Sequence, residues 1–90
     1  YKRQLQVGWA HVDQCLEKHI AGEFNAFEAA SAKLWHTELQ WKVVDVCLQL
    51  HGGYGYMNEY EIAQAWRDSR VQRIYGGTSE IMKELISRSI

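Results

Sequence analysis

Apolar residues at the start of the chain recur at helical spacing. Leu5, Trp9, Val12, Leu16 and His19 or Ile20 fall three or four apart, with Lys2, Gln6, Asp13 and Glu17 between them. This period puts one apolar stripe on one helix face, so an amphipathic helix is predicted from Tyr1 to about residue 20. Gly22 is well placed to end it, because glycine enters the left-handed region without a Cβ penalty. Asn25 and Glu28 then have the spacing of a capping pair, and a second helix is predicted from about residue 24 to Leu50. It would be roughly 40 Å long at 1.5 Å per residue. Glu38, Lys42, Asp45 and Gln49 form its polar stripe, the first two spaced for a favourable Glu-to-Lys pair. Phe27, Leu34, Trp35, Leu39, Trp41, Val43, Val44, Val46, Cys47 and Leu48 occupy the rest of the circumference. That band is too wide for a helix with one neighbour, and it predicts burial on several sides.

The pattern breaks at Gly52-Gly53, and Tyr54-Gly55-Tyr56 predicts a compact turn. A short helix is expected from about Glu59 to Ser69. Val71 to Gly77 looks like a connector with a brief extended stretch, and Thr78 or Ser79 caps a last helix reaching about Arg88. No proline interrupts any of these segments. The pattern predicts an all-α unit. Three shorter helices cannot cover the long one. Self-association, burial within a larger protein, or both are expected, with Trp9, Trp35, Trp41 and Trp66 buried in the complete assembly.

Ninety residues make one domain at most, and 47 % hydrophobic with 23 % charged residues is a globular composition. The net charge of −1 argues against a nucleic-acid or membrane-surface partner. No apolar run approaches the ~20 residues that span a bilayer. Cys15 and Cys47 are too few for a disulfide framework and fit a reducing compartment. The chain opens Tyr1-Lys2-Arg3-Gln4 with neither an initiator Met nor a signal peptide, as expected of a part of something longer.

His11, Cys15 and His19 lie four apart on one helix face, a spacing open to zinc, but no fourth ligand completes the set. A boundary stripe on an amphipathic helix is the better reading, so no metal is expected, and Cys47 with His51 reads the same way. Arg67, Arg70 and Arg73 suit either a phosphate clamp or, better, a solvated face paired with Asp68, Glu59 or Glu61. Two junctions are richer. Gln49-Leu50-His51-Gly52-Gly53-Tyr54-Gly55-Tyr56 has glycines that let backbone N–H groups approach a ligand, without the Lys and Ser/Thr of a P-loop or the preceding strand of a dinucleotide fingerprint. Ile74-Tyr75-Gly76-Gly77-Thr78-Ser79-Glu80 opens a helix whose free N–H groups suit a polar or anionic ligand group. Each junction alone is equally well read as a helix cap.

Together, in this order and at this separation, with Glu59, Arg67-Asp68 and Ile81-Met82, they resemble the C-terminal signature of flavin-dependent acyl-CoA dehydrogenases. The resemblance covers essentially the whole chain. It implies that the chain is the C-terminal bundle of up-down antiparallel helices, about the last quarter of an enzyme whose N-terminal helical and middle β domains lie elsewhere. Gln64 departs from the usual Lys or Arg. The resemblance implies oxidation of an acyl-CoA to the trans-2-enoyl-CoA in fatty-acid or branched-chain acyl breakdown, with FAD as cofactor and an electron-transfer flavoprotein as electron acceptor. It also implies a homotetramer or dimer of dimers, in the cytoplasm of a bacterium or the mitochondrial matrix of a eukaryote. Gln49, Leu50, His51, Gly52 and Gly53 would reach the adenosine end of a neighbouring subunit's FAD. Thr78, Ser79 and Glu80 would lie against the subunit's own FAD, and Gly77 beside the substrate.

Gly76 departs from the many members that carry a glutamate base there. An α-proton of a thioester is weakly acidic, so a positioned carboxylate must remove it, and glycine has none. Long-chain and isovaleryl-type members also have a small residue here and draw the base from an upstream helix. The resemblance therefore implies no catalytic base within these residues and no turnover by them alone. Two other readings remain: a non-catalytic helical interaction module derived from the family, and a related acyl-CoA oxidase.

Overall fold

A computed structural model describes all 90 residues as four α-helices with no strand, 45 × 25 × 19 Å in extent. The helices are α1 (Lys2–Ile20), α2 (Ala26–Leu50), α3 (Glu61–Val71) and α4 (Ser79–Ser87), with a 3-10 turn at Gly52–Tyr56. The capping chemistry falls where the sequence places it. Asn25 Oδ1 accepts the Glu28 N–H at 2.9 Å, and its amide donates back to Glu28 Oε1 at 3.2 Å, closing a reciprocal cap on α2. Thr78 Oγ1 accepts the Ile81 N–H at 3.2 Å and starts α4. Gly22 ends α1 at φ +75°, and Lys18 bridges to Glu28 at 3.1 Å across the hairpin.

Helix α2 is the spine. Contacts of Lys18 with Glu28 and of His11 and Gly8 with His36 run in opposite chain directions, so α1 lies antiparallel to α2. Pairings of Trp66 with Asp45, Arg70 with Trp41 and Arg73 with Glu38 show the same for α3. The segments α3 and α4 pack extensively on α2, whereas α1 touches it lightly.

The apolar stripe of α1 does not make that contact. Gly8 is buried, and His11, Val12 and Cys15 are half-buried, but Trp9 is 72 % exposed, Leu16 54 % and Ile20 84 %. At about 100° per residue, the contact face is rotated roughly 100° from the centre of the apolar stripe. Gly8 explains why: a Cβ there would stand 3.2 Å from the Trp35 ring, so this small residue is where the helices come close. The exposed stripe and α2 line an open apolar groove of Leu5, Trp9, Val12, Leu39, Val43 and Val44.

Two boundaries differ from expectation. The helix predicted from about Glu59 begins at Glu61, because Tyr60 is extended at φ −98° and ψ 136°, and it continues to Val71. Residues 72 to 77 form tight turns rather than an extended connector, with the Ile74 and Tyr75 N–H groups both donating to Val71 O. The expected Glu38–Lys42 pair is also not made, since Glu38 turns toward Arg73 and Ser79.

Only Ala30, Ala63 and Met82 are buried apolar residues. The accessible surface is 6739 Å². A compact monomer of this mass would expose about 5,400 Å². The excess lies in unpartnered helix faces, as the wide apolar band of α2 predicts.

Candidate functional site

The second glycine junction is fixed by charged groups on α2. Lys33 Nζ donates to Tyr75 O at 2.8 Å and also to Gly77 O. One turn further on, Glu38 Oε1 accepts from Arg73 Nε and from Ser79 Oγ, each at 3.0 Å. Ser79 N–H donates to Arg73 O at 3.1 Å, so both groups of Ser79 are committed and the residue is only 5 % exposed. Gly76 and Gly77 turn the chain at φ +64° and +106°, conformations that an L side chain rarely adopts. The backbone N–H groups of Gly76, Gly77 and Thr78 find no acceptor within the chain.

The first junction is built differently. After Leu50, Gly52 enters the left-handed region at φ +63° and the chain winds into the 3-10 turn. Gly55 is buried there, and a Cβ would come within 2.5 Å of Leu48 O. The Tyr54 and Tyr60 rings meet at 5.4 Å, tilted by 32°. Gln49, Leu50, His51, Gly52 and Gly53 are all exposed, Leu50 to 81 %. Gly53 has neither a positive φ nor any atom within 4 Å of where a Cβ would stand. Nothing in its own chain requires glycine at that position.

The two junctions do not share one pocket. Lys33 and His51 lie on the same helix axis eighteen positions apart, about 27 Å at 1.5 Å per residue. Of the residues expected beside a cofactor, the structure gathers Gln49 to Gly53 at one end of α2. It sets Gly77, Thr78, Ser79 and Glu80 far back along the same helix. Thr78 and Glu80 face outward, with the Thr78 hydroxyl used in the cap, whereas the Ser79 side chain points into α2.

The arginines do not form a clamp, nor do they pair with Asp68, Glu59 or Glu61. Arg67 donates to Asn58 at 2.7 Å, Arg70 lies 5.8 Å over the Trp41 ring, and Arg73 bridges to Glu38. Three-residue spacing on α3 fans them out, because Arg73 already lies in the turns beyond the helix. His11 turns to His36, with Nδ1 and Nε2 at 3.1 Å, while His19 meets Phe24 edge-on. Burial first, and the nearby His11 second, hold His36 below the ordinary histidine value of 6.5. His51 Nδ1 bonds to the Cys47 carbonyl at 2.7 Å, not to its thiol.

Lys33 and Glu38 are the residues that sequence reasoning missed at this site. Lys33 left one signal: a lone cation following the small residues Ala29 to Ala32 on a helix whose polar stripe begins only at Glu38.

A family model described as the acyl-CoA dehydrogenase C-terminal domain matches residues 1–90. The chain belongs to the acyl-CoA dehydrogenase family. The mitochondrial long-chain specific acyl-CoA dehydrogenase of Rattus norvegicus is 54 % identical over 89 residues, 99 % of this chain and 21 % of the relative. The mitochondrial isobutyryl-CoA dehydrogenase of Bos taurus is 48 % identical over 59 residues, 66 % of this chain and 14 % of the relative. The crystal structure of an acyl-CoA dehydrogenase from Geobacillus kaustophilus superposes with a TM-score of 0.94 at 45 % identity, covering 98 % of this chain and 23 % of that one. The chain thus spans about a fifth of the length of the relatives it matches. The all-α bundle is the C-terminal helical domain of the acyl-CoA dehydrogenase fold, and no helix in it is long and apolar enough to cross a membrane.

Proposed function

We propose that this chain acts as the C-terminal domain of an FAD-dependent dehydrogenase that converts long-chain acyl-CoA to trans-2-enoyl-CoA and passes electrons to an electron-transfer flavoprotein. The 54 % identity to the long-chain relative over nearly the whole chain carries the substrate class. The cellular site follows the same reasoning: the mitochondrial matrix in a eukaryote and the cytoplasm in a bacterium.

FAD supplies the electron-accepting chemistry when bound. The residues present fit it in two separate places. Gln49 to Gly53 are exposed, and Gly53 answers no need of its own fold, which supports contact with the cofactor of a neighbouring subunit. Thr78 offers an unpaired backbone N–H, and Glu80 an exposed side chain, toward the subunit's own cofactor. Ser79 contributes by anchoring α4 to Glu38. The separation of the two surfaces along α2 supports a homotetramer or dimer of dimers, in which each cofactor meets two chains.

Gly77 lies beside the acyl group in this reading, and the α-proton goes to a carboxylate outside these ninety residues. Gly76 has no side chain, and Glu38 is engaged by Arg73 and Ser79. The test is an anaerobic titration of the flavin-loaded natural protein with acyl-CoAs of increasing length. Bleaching of the flavin by long-chain substrates, and little by isobutyryl-CoA, is expected. Failure of every acyl-CoA to bleach it overturns the reading. Rapid reoxidation by oxygen instead of by an electron-transfer flavoprotein would make the protein an oxidase. The ninety residues alone are expected to be inactive.

A further inference from the structure

The carbonyls of Tyr75 and Gly77 both point at one ammonium group on α2. In a trans peptide the C=O and the following N–H point in opposite directions, and this chain has no cis peptide bond. Gripping Tyr75 O therefore aims the Gly76 N–H away from α2, and gripping Gly77 O does the same for the Thr78 N–H. These are two of the N–H groups left without an acceptor in the chain. Glycines at 76 and 77 make the turn permissive: with φ at +64° and +106°, neither residue has a Cβ to hold these planes. The orientation is imposed from outside the turn, by Lys33.

We infer that Lys33 is a positioning residue of the reaction, acting through two peptide planes to hold the Gly76 N–H toward the acyl-CoA and the Thr78 N–H toward the flavin. The inference rests on the function proposed above. Glu38, Arg73 and Ser79 hold the start of α4, but none of them touches the carbonyls of Tyr75 or Gly77. Lys33 is the side chain that does. Its charge has a second consequence. A cation on the carbonyl polarises the peptide and strengthens the opposite N–H as a donor, as in any hydrogen-bonded chain.

The test compares Lys33→Met and Lys33→Arg with wild type in the flavin-loaded natural protein. The flavin reduction rate at saturating long-chain acyl-CoA, the half-saturating concentration, the flavin content and the thermal midpoint are measured together. Lys33→Met is expected to slow reduction about 10- to 100-fold, with little change in half-saturation or flavin content, because misaimed donors cost transition-state stabilisation. Lys33→Arg keeps the charge and is expected to recover most of the rate. A second readout is the carbonyl stretch of carbonyl-labelled enoyl-CoA bound to each protein. Its downshift in wild type is expected to shrink in Lys33→Met and return in Lys33→Arg. An unchanged carbonyl stretch, or a rate loss fully matched by lost flavin and a lower thermal midpoint, reduces Lys33 to a fold residue and overturns the inference. An active wild type with a fully active Lys33→Met does the same. A wild type that no acyl-CoA reduces removes the proposed function and the inference with it.

Discussion

The two glycine junctions use the same residue for opposite purposes. At the second, Gly76 and Gly77 are bent by φ and gripped by Lys33, while Glu38 ties the start of α4 to Arg73 and Ser79. At the first, Gly55 is required by steric contact with Leu48, Gly52 by its φ, and Gly53 by nothing in the chain. Both glycines of the second junction have a conformational reason inside the chain. Gly53 of the first junction is exposed and has no such reason. In the function proposed above, that difference separates the surface offered to a subunit's own cofactor from the surface offered to its neighbour's.

Substitutions can break this contrast, beginning with the most damaging. Gly55→Ala drives a Cβ against backbone at 2.5 Å, which cannot rotate away. It is expected to destabilise the fold by about 2–3 kcal/mol in chemical denaturation, the scale of overpacking a tight site. An unchanged midpoint would show that the turn has room. Glu38→Ala follows, leaving Arg73 and the buried Ser79 hydroxyl without their acceptor at a cost of about 1–3 kcal/mol. Its signature is selective loss of amide-exchange protection at the start of α4, and uniform loss along the chain would contradict the local role.

Gly76→Ala and Gly53→Ala form a matched pair, since each position has open space around a prospective Cβ. Gly76→Ala is expected to cost about 1–2 kcal/mol because an L residue disfavours the left-handed region. Gly53→Ala is expected to leave stability unchanged or raise it by about 0.5 kcal/mol through the unfolded chain. Its loss should show instead as weaker flavin retention in the assembled protein. Equal behaviour of the two variants would erase the distinction between the junctions.

The smallest effect is a pH dependence. His36 is held below 6.5 by burial and by His11, so the unfolded chain binds more protons near that pH and stability rises as pH increases. The stability is lost as pH falls from about 6.5 toward the lowered value. The Trp35 ring meets His36 edge-on, and Gly8 of α1 lies close to its imidazole, so these neighbours of the pair are uncharged. The expected outcome is a lower thermal midpoint at pH 5 than at pH 7, with the difference reduced in His36→Gln. A midpoint independent of pH in wild type would refute it.

Local rules were sufficient for the elements. The 3.6-residue period, Asn25 with Glu28, Gly22, Gly52 and Thr78 act within a turn or two, so the sequence exposes them directly. The paired glycine junctions were legible for the same reason, and they carried the family. The predicted start of α3 at about Glu59 and the extended connector failed because Tyr60 adopts extended backbone and Val71 O gathers the following turns.

What the sequence determined by itself was four helices, their caps, the family and the lack of a carboxylate at Gly76. Tertiary structure decided which face of α1 meets α2, because Gly8 permits an approach that the larger residues of the apolar stripe do not. It also decided the partners of Lys33 and Glu38, which lie 35 to 44 positions away in the chain. No periodicity encodes such pairings. They exist only once α3 has folded back along α2 and brought the second junction to the ammonium group that holds it.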